Sequence, residues 1–458
     1  MDTSAIILAA GDGKRMKSSK PKVLMEVLSE PMLGWVLDST EKAGIENTGV
    51  VIGNGAELVS DYLAKRGEYK TFLQTERKGT AHAVMQAAEI YDNAENVLVL
   101  CGDAPFMDSE TISKALAFHK ENGNSVTVIT AKIDDPTGYG RIVRGADGEL
   151  LSIVEQKDCN PEQAQINEIN SGAYWFKGKA LAEALPKVTP LNASGELYLT
   201  DTVSIIRADG GKAGAFTAEN PEIVLGANSR KNLLDLNTRA RMNIIEKHLD
   251  NGVEFPCTDG IIIGKDVVIG QDTVILPNTI IGGKTVIGNG CKIGPNTLIE
   301  NCTIGDNNEL NNVQAFDSIT ENNVKAGPFV QLRPGTHLYE GVKIGDFVEL
   351  KNAEIGINTC VAHLTYLGDC TVGRGVNFGC GCVTANYDGI NKYHINVGDY
   401  AFIGCNTNLV APVNVGENAT TGAGSTITKD VPPDSLVIER AETRVIENWE
   451  KNKQHKKK

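Results

Sequence analysis

The hydrophobic positions of the chain follow two different periods, one in each half. Between residues 4 and 228, short aliphatic runs alternate with amphipathic stretches. The predicted strands are Ala5–Ala9, Thr48–Ile52, Thr71–Gln74, Val97–Leu100 and Ser125–Ala131, and the predicted helices include Pro31–Ala43, Ala81–Tyr91 and Thr111–Asn122. Continuous apolar strands separated by helices predict a Rossmann-like α/β fold, with a mostly parallel sheet covered on both faces. Ligands bind such folds beyond the C-terminal ends of the strands.

Beyond residue 250, an aliphatic residue recurs at every sixth position. One unbroken run consists of Ile263, Ile269, Ile275, Ile281, Ile287, Ile293 and Ile299, and a second contains Val397, Ile403, Leu409 and Val415. Six is the period of a parallel β-helix, in which each flat face contributes one inward aliphatic side chain. Because three faces make a coil of about 18 residues, this half predicts a stack of hexapeptide-repeat coils.

The change of period predicts where the domains begin and end. We expect an α/β domain over residues 1–228, a linker helix over 229–250, a β-helix over 251–437, and a tail over 438–458 whose lysine run is a solvated end. The register of the β-helix breaks between Phe378 and Val397, where Asn386–Tyr393 is too polar to form another face. This loop is either a tolerated surface insertion or a segment that reaches a ligand or a neighbouring chain.

Charge, hydropathy and cysteine content limit the classes of function. A formal net charge of −14 argues against a general nucleic-acid-binding protein, which needs a basic face. No apolar run approaches the length of a membrane span, and the first ten residues resemble a strand rather than a signal peptide. The ten cysteines are irregularly spaced and include no Cys-x-x-Cys pair, which suits reduced thiols. We therefore expect a cytoplasmic protein with small-molecule ligands.

A glycine-rich loop, Leu8-Ala-Ala-Gly-Asp-Gly-Lys-Arg-Met16, follows the first predicted strand. Its backbone amides can approach phosphate oxygens, while Arg15 and Lys22 supply positive charge. The loop is not a dinucleotide fingerprint, because Met16 stands where the third glycine belongs, and it lacks the Gly-Lys-Ser/Thr of a Walker A loop. Asp103 ends a later predicted strand, where an aspartate is either a helix cap or a metal ligand.

Taken together, these segments resemble the nucleotidyltransferases that join a sugar 1-phosphate to a nucleoside triphosphate. The resemblance implies that the sugar phosphate attacks the α-phosphorus of UTP and that pyrophosphate leaves. It implies that Asp103 and Asn228 hold Mg²⁺, while Lys22 and Arg15 neutralise charge. The substrate-binding residues that it implies are Leu8, Ala9, Ala10, Gly11, Lys22, Gln74, Gly79, Thr80, Cys101, Gly102, Gly140, Glu155, Asn170 and Asn228.

The β-helix carries a second group of candidate residues. His363 is a candidate base, because a neutral imidazole can take a proton from an amine, although a lone histidine is more often a polar residue without a chemical role. Arg333, Lys351 and Asp369 are about 18 residues apart, so we expect them in one column on adjacent coils. Stacked cations repel unless an anion binds between them, which predicts an anion site. Alternatively, Asp369 alone neutralises them at a solvated surface.

This half resembles the acetyltransferase domain of the bacterial bifunctional N-acetylglucosamine-1-phosphate uridyltransferase/glucosamine-1-phosphate acetyltransferases. Its most specific marks are His363-Leu-Thr-Tyr-Leu-Gly-Asp369 and Asn386-Tyr-Asp-Gly389. The resemblance implies a left-handed β-helix, acetyl-CoA as a co-substrate, and a homotrimer with sites between chains. It implies that His363 is the base, oriented by Glu349. It further implies that Arg333, Lys351, Tyr366, Asn377, Asn386 and Tyr387 bind the sugar phosphate and that Cys380, Cys405, Ala423 and Arg440 contact acetyl-CoA.

Three functional hypotheses follow. The leading one is a bifunctional enzyme that acetylates glucosamine 1-phosphate with acetyl-CoA and then uses UTP to make UDP-N-acetylglucosamine. The second is a single nucleotidyltransferase whose β-helix serves only assembly or regulation, which would have no need of His363, Arg333 and Lys351. The third is a non-enzymatic sugar-nucleotide sensor, which would have no need of Asp103 beside Lys22.

Overall fold

The computed structural model describes residues 2–452, and the chain divides into two compact units between Ala240 and Arg241. The division falls inside a long helix, α8, that spans Arg230–Asp250. The lysines predicted to form a solvated end at positions 453 and 456–458 lie outside the described residues. Within residues 2–452, no helix has the length and apolar character needed to cross a membrane.

The first unit is built on a mostly parallel sheet. The strands of the unit are β1 (Thr3–Ala9), β2 (Glu26–Val27), β3 (Glu30–Pro31), β4 (Thr48–Ile52), β5 (Lys70–Leu73), β6 (Asn96–Cys101), β7 (Val126–Lys132), β8 (Arg141–Arg144), β9 (Leu150–Val154), β10 (Glu168–Lys177) and β11 (Ala213–Thr217). β2 and β3 pair with each other in a separate two-stranded sheet. The strand order is β11-β7-β10-β6-β1-β4-β5. Strand β10 runs antiparallel to β6 and β7, and the β8–β9 hairpin is attached to it. The predicted strands are all present, with only small displacements of their ends.

Helices cover both faces of this sheet. They are α1 (Met32–Lys42), α2 (Ala56–Arg66), α3 (Thr80–Met85), α4 (Ala88–Tyr91), α5 (Ser109–Glu121), α6 (Gly178–Ala184) and α7 (Asp201–Ala208). Neighbouring residues of β1 enter different cores, since Ile7 packs in one hydrophobic cluster and Ile6 in another. The segment predicted as one helix over Ala81–Tyr91 is two short helices, because Ala87 has a non-helical backbone (φ −99°, ψ 34°).

The second unit is a parallel β-helix made of short strands. They are β12 (Ile262–Ile263), β13 (Val268–Ile269), β14 (Val274–Ile275), β15 (Ile280–Gly282), β16 (Val286–Ile287), β17 (Lys292–Ile293), β18 (Leu298–Glu300), β19 (Thr303–Ile304), β20 (Glu309–Leu310), β21 (Val313–Phe316), β22 (Ile319–Thr320), β23 (Lys325–Ala326), β24 (Val330–Leu332), β25 (His337–Leu338), β26 (Lys343–Asp346), β27 (Glu349–Ile355), β28 (Cys360–His363), β29 (Tyr366–Val372), β30 (Asn377–Phe378), β31 (Val383–Ala385), β32 (Ile395–Val397), β33 (Phe402–Ile403), β34 (Asn408–Val410), β35 (Val413–Val415), β36 (Thr420–Thr421), β37 (Thr426–Ile427) and β38 (Leu436–Val437). A short helix, α9 (Trp449–Asn452), follows. The predicted α/β domain followed by a β-helix is confirmed.

The isoleucines of the six-residue repeat form the core of this unit. All seven members of the first run are buried, with at most 6% of any side chain exposed. Ile263 pairs with Ile281 and Ile281 with Ile299, so each of these isoleucines stacks on the third one after it, as a coil with three faces requires. The length of the coils is not constant, however, because Ile299 pairs with Ala315 rather than with Asp317.

The predicted loop leaves the β-helix where the register breaks. Val361 pairs with Phe378, and Phe378 pairs with Ile403, which lies much further along the chain. Residues 386–393 account for most of the added length and contain an isolated bridge between Tyr387 and Lys392. Stacking resumes after the loop, since Ile403 pairs with Thr421. Lengthening one coil at a corner therefore leaves the inward positions of the next coil unchanged.

Candidate active sites

A cleft of about 240 Å³ lies in the first unit, where β1 and β6 end. The predicted residues that line it are Leu8, Ala10, Gly11, Lys22, Gln74, Gly79, Thr80, Cys101 and Asp103. Its position at the C-terminal ends of parallel strands is where an α/β fold presents its ligand-binding loops. The glycine-rich loop and the loop of Gly79 and Thr80 thus meet at one cavity.

Lys22 joins the two predicted metal ligands. Its ammonium forms an ion pair with the Asp103 carboxylate and donates a hydrogen bond to Asn228 Oδ1 over 3.1 Å. The Lys22 and Asp103 side chains are only 15% and 20% exposed. The Asp103 and Asn228 oxygens both face the Lys22 ammonium. Mg²⁺ prefers oxygen ligands, so these two residues fit it, with phosphates and water completing its coordination shell. Within the described residues, no group of three or more His, Cys, Asp or Glu side chains offers a complete metal site of its own.

The alternative role of Asp103 as a helix cap is not supported. The following helix, α5, begins after Asp108, whose side chain accepts a hydrogen bond from the Thr111 backbone amide. Asp108 therefore performs the capping that the sequence allowed for Asp103. The Asp103 carboxylate is left to face Lys22 at the cleft.

Two glycines allow the loops to approach each other closely. Gly13 has a φ of +58°, and a Cβ there would lie 2.9 Å from Lys22 Cβ. Gly79 has a φ of +113°, and a Cβ there would lie 2.4 Å from the backbone oxygen of Leu197. Glycine is needed at both positions, because a side chain would collide with its neighbour and strain the backbone.

The residues predicted to bind the sugar form a second group in this unit. Asn170 donates its backbone N–H to Gly140 O over 2.9 Å and its side-chain amide to the Tyr174 hydroxyl over 2.6 Å. A Cβ on Gly140 would lie 3.3 Å from Glu155 Oε1, so Glu155 closes this side. Burial raises the pKa of Glu155, and the carboxylates of Asp158 and Asp201 raise it further. Polar groups that converge in a partly desolvated pocket can bind sugar hydroxyls.

Cys101 connects this group to the cleft. Its thiol donates to Gly172 O over 3.6 Å, and Gly172 lies in the β-bulge of β10 that follows Asn170. Burial raises the pKa of Cys101 to about 12, and the neighbouring Asp103 carboxylate acts in the same direction. The thiol is therefore protonated, so it lines the cleft without acting as a nucleophile.

Some predicted residues do not line the cleft, and others that line it were missed. Arg15 is exposed and does not line the cleft, and the buried residues Ala9 and Gly102 do not line it either. Arg77 and Glu196 line the cleft, and Arg77 forms an ion pair with Asp12 of the glycine-rich loop. Val23 and Ala83, which lie in short helices, also line the cleft and were missed. Arg77 and Glu196 lie in loops, and no sequence period indicates which loop side chains face inward.

In the second unit, four predicted acetyl-CoA contacts and the candidate base form one column. Successive hydrogen bonds run between the coils: Gly381 N to His363 O (3.4 Å), Asn406 N to Cys380 O (2.7 Å), and Gly424 N to Cys405 O (2.7 Å). Arg440 Nη1 then donates to Ala423 O over 2.6 Å. The order along the column is therefore His363, Cys380, Cys405, Ala423 and Arg440. His363 is exposed and pairs with Asp346 on the preceding coil.

Basic side chains gather on a neighbouring corner of the β-helix. Arg333 and Lys351 lie on adjacent coils, and Lys392 from the off-register loop approaches Lys351. The proximity of Lys392 lowers the pKa of Lys351, and Arg333 contributes to the same shift. Cations held this close repel one another unless an anion binds. Lys392 was missed because a loop that leaves the β-helix does not obey its spacing.

The predicted column of Arg333, Lys351 and Asp369 is wrong in its third member. Lys351 pairs with Gly368, because this coil is shorter than the regular repeat, and Asp369 falls at the next position along the strand. Asp369 accepts hydrogen bonds from Asn352 Nδ2 over 2.7 Å and from the Asn386 side chain.

The cations are consequently not neutralised by Asp369 alone. Glu349 Oε1 accepts from Arg333 Nη1 over 2.7 Å, so the carboxylate that was expected to orient His363 is paired with Arg333. Lys351 and Lys392 are left facing each other. This arrangement favours an anion site over a self-neutralised surface.

The remaining predicted sugar-phosphate residues differ in how close they lie to these cations. Tyr366 pairs with Glu349 on the preceding coil, and burial raises the pKa of its hydroxyl. Asn386 is buried and binds Asp369, whereas Tyr387 is exposed and donates to Gly389 O over 2.6 Å. Asn377 lies on another face, stacked between Cys360 and Phe402. Among the described residues, no hydrogen bond joins Asn377 to the cation cluster, whereas Tyr387 is bridged to Lys392 within the loop.

Comparison with known families agrees with the division of the chain into an α/β unit and a β-helix. The family model described as "Nucleotidyl transferase" matches residues 4–221, and the model described as "Bacterial transferase hexapeptide (six repeats)" matches residues 266–301. The chain is therefore a two-domain transferase that combines a nucleotidyltransferase region with a hexapeptide-repeat transferase region. The predicted enzyme class is confirmed.

Curated relatives extend this similarity to the full length. The chain is 46% identical to "Bifunctional protein GlmU" of Clostridioides difficile, covering 100% of this chain and 99% of that one. It is 47% identical to the protein of the same name from Heliobacterium modesticaldum, covering 97% of both chains. The corresponding protein of Geobacillus thermodenitrificans is 46% identical and covers 99% of both chains. The chain belongs to the family of bifunctional GlmU proteins.

Proposed function

We propose that the chain catalyses two reactions of UDP-N-acetylglucosamine synthesis. The β-helix transfers an acetyl group from acetyl-CoA to glucosamine 1-phosphate, and the α/β unit then transfers a uridylyl group from UTP to the product. The observation that carries this proposal is the presence of two separate groups of chemically suited residues, Lys22 with Asp103 and Asn228, and His363 at the head of its column. A scaffold β-helix would need neither His363 nor the cations of Arg333, Lys351 and Lys392.

Uridylyl transfer requires alignment and charge neutralisation rather than a protein nucleophile. The glycine-rich loop holds the triphosphate with backbone amides, and Lys22 neutralises the phosphate charge. Asp103 and Asn228 would hold Mg²⁺, which supplies a Lewis acid for the phosphoryl oxygens. Glu155 and Asn170 orient the sugar so that its phosphate oxygen faces the α-phosphorus, and pyrophosphate leaves on the side opposite the attack.

Acetyl transfer requires a base and a held phosphate. Arg333, Lys351 and Lys392 bind the phosphate of glucosamine 1-phosphate and thereby fix the amine. His363 removes a proton from that amine as its nitrogen attacks the thioester carbon of acetyl-CoA. The carbon–sulfur bond breaks and the CoA sulfur takes up a proton. Cys380, Cys405, Ala423 and Arg440 form the surface along which acetyl-CoA lies.

We further propose that the protein acts as a cytoplasmic homotrimer and uses Mg²⁺. Support for the trimer comes from the distribution of the acetyltransferase residues. Asn377 is stacked between Cys360 and Phe402, on another face from Arg333 and Lys351, and this separation supports a pocket that a neighbouring chain completes. Analytical ultracentrifugation of the purified protein measures this state directly.

The test of the two-site proposal is a pair of substitutions with opposite effects. We expect His363→Ala to lower acetyl transfer by about 10²- to 10⁴-fold, the usual contribution of a general base. Asp103→Ala should abolish UTP-dependent pyrophosphate release. Each variant should retain the other activity at the wild-type level. The measurements are CoA release from acetyl-CoA with glucosamine 1-phosphate, and pyrophosphate release from UTP with N-acetylglucosamine 1-phosphate.

Asp108→Ala is the matched control for Asp103→Ala. It removes a nearby carboxylate that caps α5 and costs about 1 kcal/mol of stability, without contacting the cleft. The proposal is refuted if His363→Ala and Asp103→Ala reduce both reactions equally while the circular dichroism spectrum stays native. It is also refuted if the wild-type protein releases no CoA.

A further inference from the structure

Two thiols occupy adjacent positions in the column that we assign to acetyl-CoA. Asn406 N donates to Cys380 O over 2.7 Å and Gly424 N donates to Cys405 O over 2.7 Å, which places Cys380 and Cys405 at equivalent corners of neighbouring coils. Neighbouring strands are about 4.8 Å apart. That spacing lies within the range of about 4.4–6.8 Å between Cα atoms that a disulfide requires.

The Cys405 sulfur lies next to the chain segment that contains Cys380. A Cβ built on Gly379 would lie 2.8 Å from Cys405 Sγ, so this thiol lies over the residue that precedes Cys380. Cys405 is exposed and Cys380 is half-buried, so solvent reaches both. A low-molecular-weight oxidant therefore has access to the pair.

A third cysteine beside them has different chemistry. Cys382 is buried, and its thiol donates to Gly379 O over 3.0 Å and to Gly404 O over 3.2 Å. Burial raises the pKa of Cys382 to about 11, and the adjacent Cys405 and Cys380 thiols act in the same direction. Because the thiolate is the reactive form, Cys382 should not react with the oxidant. It therefore serves as the unreactive control thiol within the same protein.

We propose that Cys380 and Cys405 are a modification site for low-molecular-weight disulfides, and that their oxidation to a disulfide switches off acetyl transfer. The regulatory half of this inference rests on the proposed function. The bond fixes the two sulfurs about 2 Å apart, so both side chains leave the positions in which they face acetyl-CoA, next to the coil of His363. The surface that positions the thioester against the base is then changed.

The exchange proceeds in two balanced steps. The Cys405 thiolate attacks one sulfur of a disulfide such as oxidised glutathione, forms a mixed disulfide and releases one thiol, which takes up the proton lost by Cys405. The Cys380 thiolate then attacks Cys405 Sγ and displaces the second thiol, which takes up the proton lost by Cys380. The protein pair is oxidised, and the small disulfide is reduced to two thiols.

The experiment uses the full chain treated with oxidised glutathione, followed by blocking of free thiols and peptide mapping by mass spectrometry. We expect a cross-linked peptide joining Cys380 to Cys405, while Cys382 remains a free thiol. Acetyl transfer should fall at least about tenfold, as expected from displaced reacting groups. Dithiothreitol should restore it, and uridylyl transfer should not change. Saturating acetyl-CoA should slow the cross-linking.

Variants separate this site from other oxidation. Cys380→Ala and Cys405→Ser should each lose the cross-link. Acetyl transfer of Cys405→Ser, whatever its starting level, should not fall on treatment, whereas Cys380→Ala should stop at the mixed disulfide on Cys405. Cys360→Ser removes another half-buried thiol of the same β-helix and should respond as the wild type does. A cross-link elsewhere, or an equal loss of activity in Cys405→Ser, overturns the inference.

Failure of the proposed function gives a different result. If the β-helix is not an acetyltransferase, the untreated protein releases no CoA and acetyl-CoA gives no protection, yet the Cys380–Cys405 cross-link still forms. If only the modification site is wrong, untreated protein is active and the cross-link is missing. The peptide map and the activity before treatment therefore distinguish the two failures.

Discussion

The two units bring their functional residues together in different ways. In the α/β unit, Lys22, Asp103 and Asn228 meet although 206 residues separate the first from the last. In the β-helix, His363, Cys380, Cys405 and Ala423 meet because each lies about one coil after the previous one, apart from one lengthened coil. Topology assembles the first site and repetition assembles the second. A local change should therefore affect a stretch of neighbouring coils in the β-helix, but several distant segments in the α/β unit.

The largest effect is expected from a cavity in the repetitive unit. Ile299 is fully buried between Ile281 and Ala315, and Ile299→Ala should cost about 2–5 kcal/mol of unfolding free energy. Hydrogen-exchange mass spectrometry should show the loss of protection in residues 281–315 first. The exposed neighbour Glu300 offers a control, since Glu300→Ala should change the unfolding free energy by no more than about 0.5 kcal/mol. Uniform loss of protection along the whole β-helix would contradict the idea of local coupling.

A smaller effect should follow from one added methyl group in the α/β unit. Gly79→Ala places a Cβ against the Leu197 backbone and should lower uridylyl transfer by about 100-fold, the loss expected from a displacement on the order of 1 Å. Acetyl transfer should not change. Gly123 also has a positive φ, but a Cβ there meets nothing within 4 Å. If Gly123→Ala reduced uridylyl transfer as much as Gly79→Ala, backbone strain rather than cleft geometry would be the cause.

The smallest effect on activity is expected from a substitution in the off-register loop, residues 386–393. Lys392→Ala should lower kcat/KM for glucosamine 1-phosphate by about tenfold, through loss of a charged phosphate contact. The same substitution removes the main cause of the lowered pKa of Lys351. Because Lys351 binds phosphate in its protonated form, kcat/KM falls as pH rises through that pKa. In Lys392→Ala this alkaline limb should move to higher pH.

Exposed Lys429 provides the control for this prediction. Lys429→Ala should leave both kcat/KM and its pH profile at the wild-type values. A profile of Lys392→Ala that is lower at every pH but unshifted would contradict the proposed proximity of Lys392 and Lys351.

The sequence predicted the β-helix more completely than it predicted the sites. A period of six directly predicts which residues point inward. Every isoleucine of the first run is buried, as expected. The column through Asp369 was wrong because the coils differ in length: Lys351 pairs with Gly368, so a fixed spacing of about 18 residues points one residue too far. The inward stack continues across the same coil, since Leu350 pairs with Leu367.

In the α/β unit, the sequence located strands and the glycine-rich loop but not the side chains that loops turn inward. Arg77 and Glu196 line the cleft, although neither follows a predicted strand directly. Asp103 was ambiguous in the sequence and became assignable only when Asp108 was seen to cap α5. Resemblance to known transferases supplied candidates such as Glu155 and Asn170, which spacing alone could not have brought together.

The lengthened coil between Phe378 and Ile403 has a consequence for how such proteins acquire new chemistry. Because the stack resumes its pairing after the excursion, extra residues at a corner do not disturb the core on either side. Asn386 and Lys392 both stand on this excursion. A β-helix thus separates the residues that encode its fold from those that can vary, and its corners are natural grafting points for designed binding loops.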